Sequence, residues 1–357
     1  MKIMQVMPEF ALAGAEVMCE NLIYGLKKIG ADVVVVSLYD YHSPITDRLE
    51  QNGVKVVYLN KKSGFDFSMY RKLRKTIKSE KPDVIHTHRY VMEYVIPASL
   101  FTKIPAKTHT VHNIASCEVG KGLRALHKIF FKMFKVVPVA LTELIQSSIV
   151  EEYKINVENV PVVFNGMSVD KYYKKSDYSL VKNILHIGRF SLQKNHKGLI
   201  AAFEIIHKKH PEIKLNLAGV GELEDEIKRL VKEKELDAVV CFKGLLDDVK
   251  EEMSKADIFC LPSNYEGMPM TIIEAMASGL PVVATAVGGV PDMITDGKDG
   301  VLCKNTPEDI ADALEKVIES AELRETLGKN AVDTSKEYSS ENMAKKYYEI
   351  YCNCPKK

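Results

Sequence analysis

An alternation of short β-rich runs with amphipathic helical stretches passes along this chain twice, and it leaves few folds open. In the first pass, residues 2–7, 32–37, 54–58, 83–86, 106–111 and 137–141 read as buried strands, DVVVVS from Asp32 being the plainest. Helical periodicity separates them at 16–29, 70–78 and 91–102. Apolar runs alternating with helices predict a parallel sheet covered on both faces. Helix runs out between Val160 and Asp170, and the polar stretch 171–179 reads as a linker. The pattern then restarts, with strands over 183–187, 214–218, 239–242, 257–261 and 281–284 and helices over 196–209, 222–235, 246–255 and 269–278. The expectation is an α/β protein of two Rossmann-like, doubly wound domains, 1–175 and 176–335, facing an interdomain cleft. A helix within 336–357 is expected to return to the first domain.

Composition removes other classes. With 46% hydrophobic and 27% charged residues and a net charge of +1, the 357-residue chain is neither disordered nor collagen-like. No run approaches the roughly 20 apolar residues that a membrane span requires. The start is no secretory signal, because the apolar run after Lys2 meets Pro8 and Glu9. Seven scattered cysteines point to reduced thiols and a cytoplasmic address, and Cys352 and Cys354 have no second pair with which to hold a metal. Residues 1–170 hold 22 Lys/Arg against 17 Asp/Glu, a net of +5, while the remainder holds 27 against 31, a net of −4. That asymmetry fits either a solvated basic face or an anionic partner. Balanced charge and the lack of a recognised module disfavour nucleic acid.

In open parallel sheets ligands bind beyond the carboxyl ends of the strands. After the first strand, Gly14 opens a helix, without the G-x-G-x-x-G of a dinucleotide enzyme. After 183–187 come Gly188, Arg189 and Lys194, two cations beside a helix start, suited to a diphosphate. Gly219 and Gly221 end the next strand, and Gly244 with Leu245 ends the one after, where main chain can meet a base edge. The longest motif runs from Pro262 to Pro281: Glu266 precedes a short helix, Pro269 fits its first position and Gly279 its stop. Glu274 falls inside that apolar helix. A buried carboxylate needs a partner, either ligand hydroxyls or an internal salt bridge. Gly288 to Asp292 add a further glycine-rich turn.

Taken together, GRF and QKN after Gly188, LAGVG, FKG, EGMP leading to EAMASGLPVVAT, and GGVPD resemble retaining glycosyltransferases of family 4, of the bacterial exopolysaccharide and capsule type. Glu266 and Glu274 match that family's E-x7-E motif, and the likeness spans essentially the whole chain. It implies the GT-B fold, an N-terminal acceptor domain and a C-terminal nucleotide-sugar domain. It also implies transfer of a hexosyl or N-acetylhexosaminyl unit from a UDP-sugar to a glycan or lipid-linked acceptor, with no cofactor and no metal. Residue by residue, Arg189 and Lys194 would hold the diphosphate, Glu266 the sugar hydroxyls and Glu274 the ribose. Gly267, Met268 and Pro269 would lie close to the sugar or phosphate, Gly188, Gly219, Gly244 and Leu245 near the nucleotide, and Gly14 against the diphosphate. His112, in THTVHN, would lie near the donor sugar, while His86 and His88 read as structural or acceptor-shaping. The acceptor hydroxyl would attack from the leaving-group face and give its proton to the departing phosphate. There is no D-x-D metal triad, and Asp247–Asp248 sits where a helix cap belongs. Leu12-Ala13-Gly14 is poorer in glycine than the family pattern, and Asp292 stands where glutamate is frequent.

Lys121, Arg124, Lys128, Lys132 and Lys135 recur at steps of three and four beside Leu123, Leu126, Phe130, Phe131 and Phe134. Either an interfacial helix on an anionic membrane or a domain helix with a solvated basic side reads this way. The first would make the protein peripheral on the inner face of the cell membrane. Competing readings are a GT-B enzyme of other chemistry, epimerase-like, and a non-catalytic two-lobed binder of sugar nucleotides.

Overall fold

The computed structural model describes residues 1–11, 14–100, 102, 104, 106–246 and 248–354. Leu12 and Ala13 of the first strand-to-helix loop, and Asp247 beside the anticipated cap, lie outside them. Two compact units result: Met1–Ser168 with Ser339–Lys357, and Val169–Tyr338.

In the first unit, β1 (Lys2–Met7), β2 (Asp32–Ser37), β3 (Lys55–Tyr58), β4 (Val84–His88), β5 (Ala106–Val111) and β6 (Val137–Ala140) form one parallel sheet in the order β3-β2-β1-β4-β5-β6. Its centre is pinned by β1, whose partners run from Lys2↔Asp32 to Met7↔Ser37 on one side and from Ile3↔Val84 to Val6↔Thr87 on the other. In β2 buried valines fill both faces, so it reads as a continuous apolar run rather than an alternating one, whereas β4 and β5 bury histidines and threonines.

The second unit repeats the plan. Strands β7 (Asn183–Ile187), β8 (Lys214–Ala218), β9 (Val240–Gly244), β10 (Ile258–Leu261), β11 (Val282–Thr285) and β12 (Val301–Cys303) are ordered β12-β11-β10-β7-β8-β9. Counted from each unit's own first strand, both sheets follow the order 3-2-1-4-5-6. The switch point therefore lies between β1 and β4 in one unit and between β7 and β10 in the other. Strand β12 carries too few residues to show a period and follows the Asp296↔Gly300 bridge, so no sequence signal announced it.

The stretch read as a linker belongs to the second unit. Lys175 Nζ binds Asp257 Oδ1 at 2.7 Å, the Tyr178 hydroxyl donates to the Gly279 carbonyl at 2.9 Å, and the Tyr172 hydroxyl reaches Glu274. These bonds move the boundary from 175/176 to Ser168/Val169, and the chain crosses back at Tyr338/Ser339. The last helix, Ser340–Asn353, lies on the helix Gly14–Lys28 of the first unit. A Cβ on Gly25 would stand 2.1 Å from the Ser340 carbonyl oxygen, so only glycine admits this contact. Tyr347 and Tyr351 of that helix are fully buried against the sheet.

Candidate functional site

The second unit's site is built on its switch point. The loop after β7 turns through Ser191 and a 3-10 segment, Leu192–Lys194, into Asn195, whose left-handed backbone (φ 50°) starts the helix His196–Lys209. Asn195 Oδ1 accepts from the Gly198 amide at 3.2 Å and its Nδ2 donates to the Pro262 carbonyl at 3.0 Å, tying the β7 loop to the β10 loop. Across that junction Lys194 Nζ meets Glu266 Oε1 at 2.6 Å. Ser263 Oγ donates to the same oxygen at 2.7 Å, and Gln193 Nε2 donates to Glu266 Oε2 at 3.3 Å. Glu266 is buried, with three donors on its two oxygens.

Gly288 and Gly289 support this carboxylate from behind. Gly288 has φ 55°, and a Cβ there would lie 1.8 Å from the Glu266 carbonyl oxygen; one on Gly289 would lie 2.2 Å from that of Gly267. Glycine at these positions is thus required by the packing of two loops. The same holds for Gly219, at φ 130°, where a Cβ would stand 2.1 Å from the Gly188 carbonyl oxygen. The Gly188 amide donates to Ala218 and that of Gly219 to Gly244, binding the ends of β7, β8 and β9 into one main-chain lattice. Gly244 and Gly267 instead have open space where a Cβ would be, and Leu245 is exposed.

Arg189 does not join Lys194 on a common partner. Its guanidinium lies in solvent and pairs with Glu222 at 3.0 Å. Glu274, in the helix Met270–Ala277, accepts from Tyr172 Oη at 3.2 Å and makes no ion pair among the described residues. Burial pushes its carboxyl up to about 7, opposed by the Tyr172 bond and reinforced by Asp248. The internal salt bridge that the sequence allowed for Glu274 is found on Glu266 instead. Pro269 is the residue before the helix rather than its first turn, and Met268 is half-buried beside it.

The first unit carries Gly14 and His112. Gly14 begins its helix with nothing within 4 Å of a hypothetical Cβ. His112 follows β5, and its Nε2 lies 3.1 Å from His88 Nδ1. His88 Nε2 faces Gln5 Oε1 at 2.9 Å, and the Gln5 amide is oriented by donation to Tyr351 Oη. His88 therefore donates from Nε2 and accepts at Nδ1, so His112 donates from Nε2 and keeps Nδ1 as an acceptor. Burial first, and the Arg89 guanidinium second, push the His112 value down to about 3, holding the ring neutral. His86 bonds Tyr351 Oη and Thr110 Oγ1, each at 2.7 Å, which makes it part of the sheet's own polar network. Composition and spacing missed the switch-point pair of this unit: Arg89, after β4 with φ 56°, binds the fully buried Glu16 at 2.5 Å.

Among the described residues no three His, Cys, Asp or Glu are grouped to hold a metal ion. Asp248 caps the helix Val249–Lys255, accepting from the Lys250 amide at 3.0 Å. The basic helix spans Lys121–Met133 and ends before Lys135, which turns away at φ 53°. Phe130 and Phe131 are buried in the core, and Arg124 is paired with Glu152, so the aromatic side serves the domain itself. Ile129 and Met133 remain exposed on it. No described helix is long and apolar enough to cross a membrane.

Two family models match the chain: Glycosyltransferase Family 4 over residues 12–171 and Glycosyl transferases group 1 over 160–334. The chain belongs to the glycosyltransferases. It is 27% identical over 354 residues to the uncharacterized glycosyltransferase MJ1178 of Methanocaldococcus jannaschii, covering 95% of this chain and 94% of that one. It is also 27% identical over 304 residues to N-acetyl-alpha-D-glucosaminyl L-malate synthase of Bacillus anthracis, covering 80% and 79%. Among solved structures, Anabaena Alr3699/HepE in complex with UDP and glucose superposes with a TM-score of 0.77 at 20% identity, covering 99% of both chains. This glycosyltransferase thus has the two-sheet α/β architecture of the GT-B enzymes.

Proposed function

We propose that this glycosyltransferase moves a hexosyl or N-acetylhexosaminyl unit from a UDP-sugar to a glycan or lipid-linked acceptor in cell-surface polysaccharide assembly. The anomeric configuration is retained, and neither metal nor cofactor takes part. The observation that carries this reading is the Lys194–Glu266 pair at the β7/β10 switch point, where doubly wound sheets bind ligands. A diphosphate brought to Lys194 competes with Glu266 for the ammonium group and frees the carboxylate to accept from sugar hydroxyls. Lys194, with Arg189 swung from its solvent-screened contact to Glu222, stabilises the charge that develops on the leaving phosphate. Glu274, held neutral or charged by small changes around pH 7, accepts from the ribose hydroxyls. His112 accepts from a sugar hydroxyl at its free Nδ1, and Gly14 presents the amide end of its helix to phosphate. The leaving phosphate takes the acceptor's proton, so no side-chain base is needed. UDP is supported as the donor base by the UDP in the HepE structure. The enzyme works in the cytoplasm, at the inner face of the membrane that holds a lipid-linked acceptor.

The test is nucleotide release from a panel of UDP-, GDP- and ADP-sugars, with and without EDTA, read together with the anomeric configuration of the product by NMR. Release from a UDP-sugar that is unaffected by EDTA and lost in Lys194→Ala and Glu266→Ala is expected. Sensitivity to EDTA, or an inverted product, would remove the metal-independent or the retaining part. Failure of every nucleotide diphosphate to raise the melting temperature would remove donor binding itself.

A further inference from the structure

A groove of about 770 Å3 opens on the first unit at the end of the sheet away from its strand-end histidines. Its floor is apolar, made by Val136 and Pro138 at the start of the edge strand β6, by Pro161 beside it, and by Ile350 of the last helix. Because the sheet is parallel, the entry to β6 lies at the opposite edge from the segment after β5 that carries His112. The groove is therefore remote from His112 and the other strand-end residues of this unit.

Its rim is basic. Lys132, Lys135, Lys154 and Lys346 line it, against two acids, Glu158 and Glu349. All four lysine side chains are exposed, and none makes an ion pair among the described residues. Elsewhere this chain pairs its lysines freely, as in Lys55 with Glu80, Lys209 with Glu315 and Lys255 with Glu251. A rim of four lysines against two acids, around an apolar floor, complements a molecule that is anionic at one end and apolar at the other.

We propose that this groove seats the headgroup and upper acyl region of an anionic phospholipid, so that it, rather than the basic side of the Lys121–Met133 helix, docks the enzyme on a bilayer. Phosphate meets the lysine rim while the apolar floor and the exposed Met133 nearby in sequence take hydrocarbon. The inference deepens the membrane part of the function proposed above and does not rest on its chemistry.

The experiment is co-sedimentation of the full chain with vesicles of phosphatidylcholine alone or with 30% phosphatidylglycerol, alongside nucleotide release from the donor. Each lysine near an anionic surface is worth roughly a fivefold change in partition, so Lys135→Gln/Lys154→Gln/Lys346→Gln should lower binding on the order of a hundredfold. Binding should also fall as salt shortens the screening length, and nucleotide release should be unchanged. Lys121→Gln/Lys128→Gln, on the helix, should stay within about threefold of the native chain, less than two lysines at the docking surface would give. The reverse ranking would overturn the groove and leave peripheral binding intact. Equal binding to neutral and anionic vesicles, or none, would overturn both while leaving glycosyl transfer standing. Release from vesicles by millimolar inorganic phosphate would overturn the bilayer as occupant in favour of a small anion.

Discussion

The two units share one strand order and join the loops across their switch points with a cation–carboxylate pair, yet the pairs are opposite in sense. In the second unit the cation, Lys194, follows the first strand and the acid, Glu266, follows the fourth. In the first unit the acid, Glu16, stands in the helix after the first strand and the cation, Arg89, follows the fourth. Around them the chemistry also diverges. The second unit crowds glycines so that main chain meets main chain, whereas the first places histidines, threonine and glutamine in a side-chain network that the last helix completes. One backbone plan thus supports two kinds of switch point: one held by close main-chain packing around a buried ion pair, and one held by a network of polar side chains. Topology decides where a site is, and the strand-end residues decide what it does.

Variants of the two pairs give the largest contrast. Lys194→Ala is expected to reduce nucleotide release from the donor by about 100- to 1000-fold, as for loss of one donor to developing charge. Arg89→Ala leaves Glu16 buried and unpaired, costing about 2 kcal/mol, below the roughly 3–5 kcal/mol of a fully buried pair because Arg89 keeps 39% exposure. Steady-state kinetics and thermal unfolding on both variants separate the cases. A large catalytic loss without destabilisation in Arg89→Ala would make the pairs functional equals.

Glycines come next. Gly288→Ala is expected to destabilise the second unit by about 3 kcal/mol or more, since its Cβ would sit 1.8 Å from the Glu266 carbonyl oxygen at positive φ. Gly14→Ala meets empty space and should change stability by less than about 0.5 kcal/mol, so a loss of donor binding there reports a ligand and not packing. Calorimetry of both, followed by nucleotide titration, would break the contrast if Gly14→Ala proved the less stable.

Glu274 offers a pH test. Its folded value of about 7 lies above the ordinary 4.5, so its contribution to stability is full below about pH 4.5 and is lost as pH rises through 7. Glu274→Gln has no such group and should gain on the native chain by up to about 3 kcal/mol between pH 4.5 and 8, while binding nucleotide more weakly. Melting temperatures across that range read the difference, and parallel curves would remove the carboxyl as its source. Histidines work in the other direction. His86, His88 and His109 are held well below their ordinary value by burial, and His112 and His127 are pushed to about 3 and about 4. In the second unit burial lowers His186 to about 4 and His196 to about 2. Lowered histidine values give stability that is complete above about pH 6.5 and lost as pH falls toward them. Hydrogen exchange between pH 7 and 5 should therefore show the first unit losing protection more steeply; equal slopes would count against the histidine network.

Sequence revealed what is local and periodic. Val-rich runs such as Asp32–Ser37 announce strands because both faces are buried, and the helix His196–Lys209 follows from apolar spacing. What depended on distant neighbours stayed hidden. Nothing near Glu16 in the chain indicates Arg89, since their meeting follows from the pairing of β1 with β4. Lys171 to Ser179 are polar and looked free because their partners, Asp257, Glu274 and Gly279, stand roughly a hundred positions away or more than seventy. The aromatics of the Lys121–Met133 helix were legible as an apolar side, but only the core around Tyr153 and Val160 shows that this side is already used.

The helix Ser340–Asn353 has a consequence for synthesis. Its tyrosines supply partners for His86, Thr110 and Gln5, which leave the ribosome hundreds of residues earlier. The second unit, Val169–Tyr338, is continuous and can close while translation proceeds. The first unit must wait, its sheet formed but its Gln5, His86 and Thr110 lacking partners, until Ser340–Asn353 has been made, so a chain stopped before Ser340 should yield a folded middle attached to a beginning whose packing is unfinished.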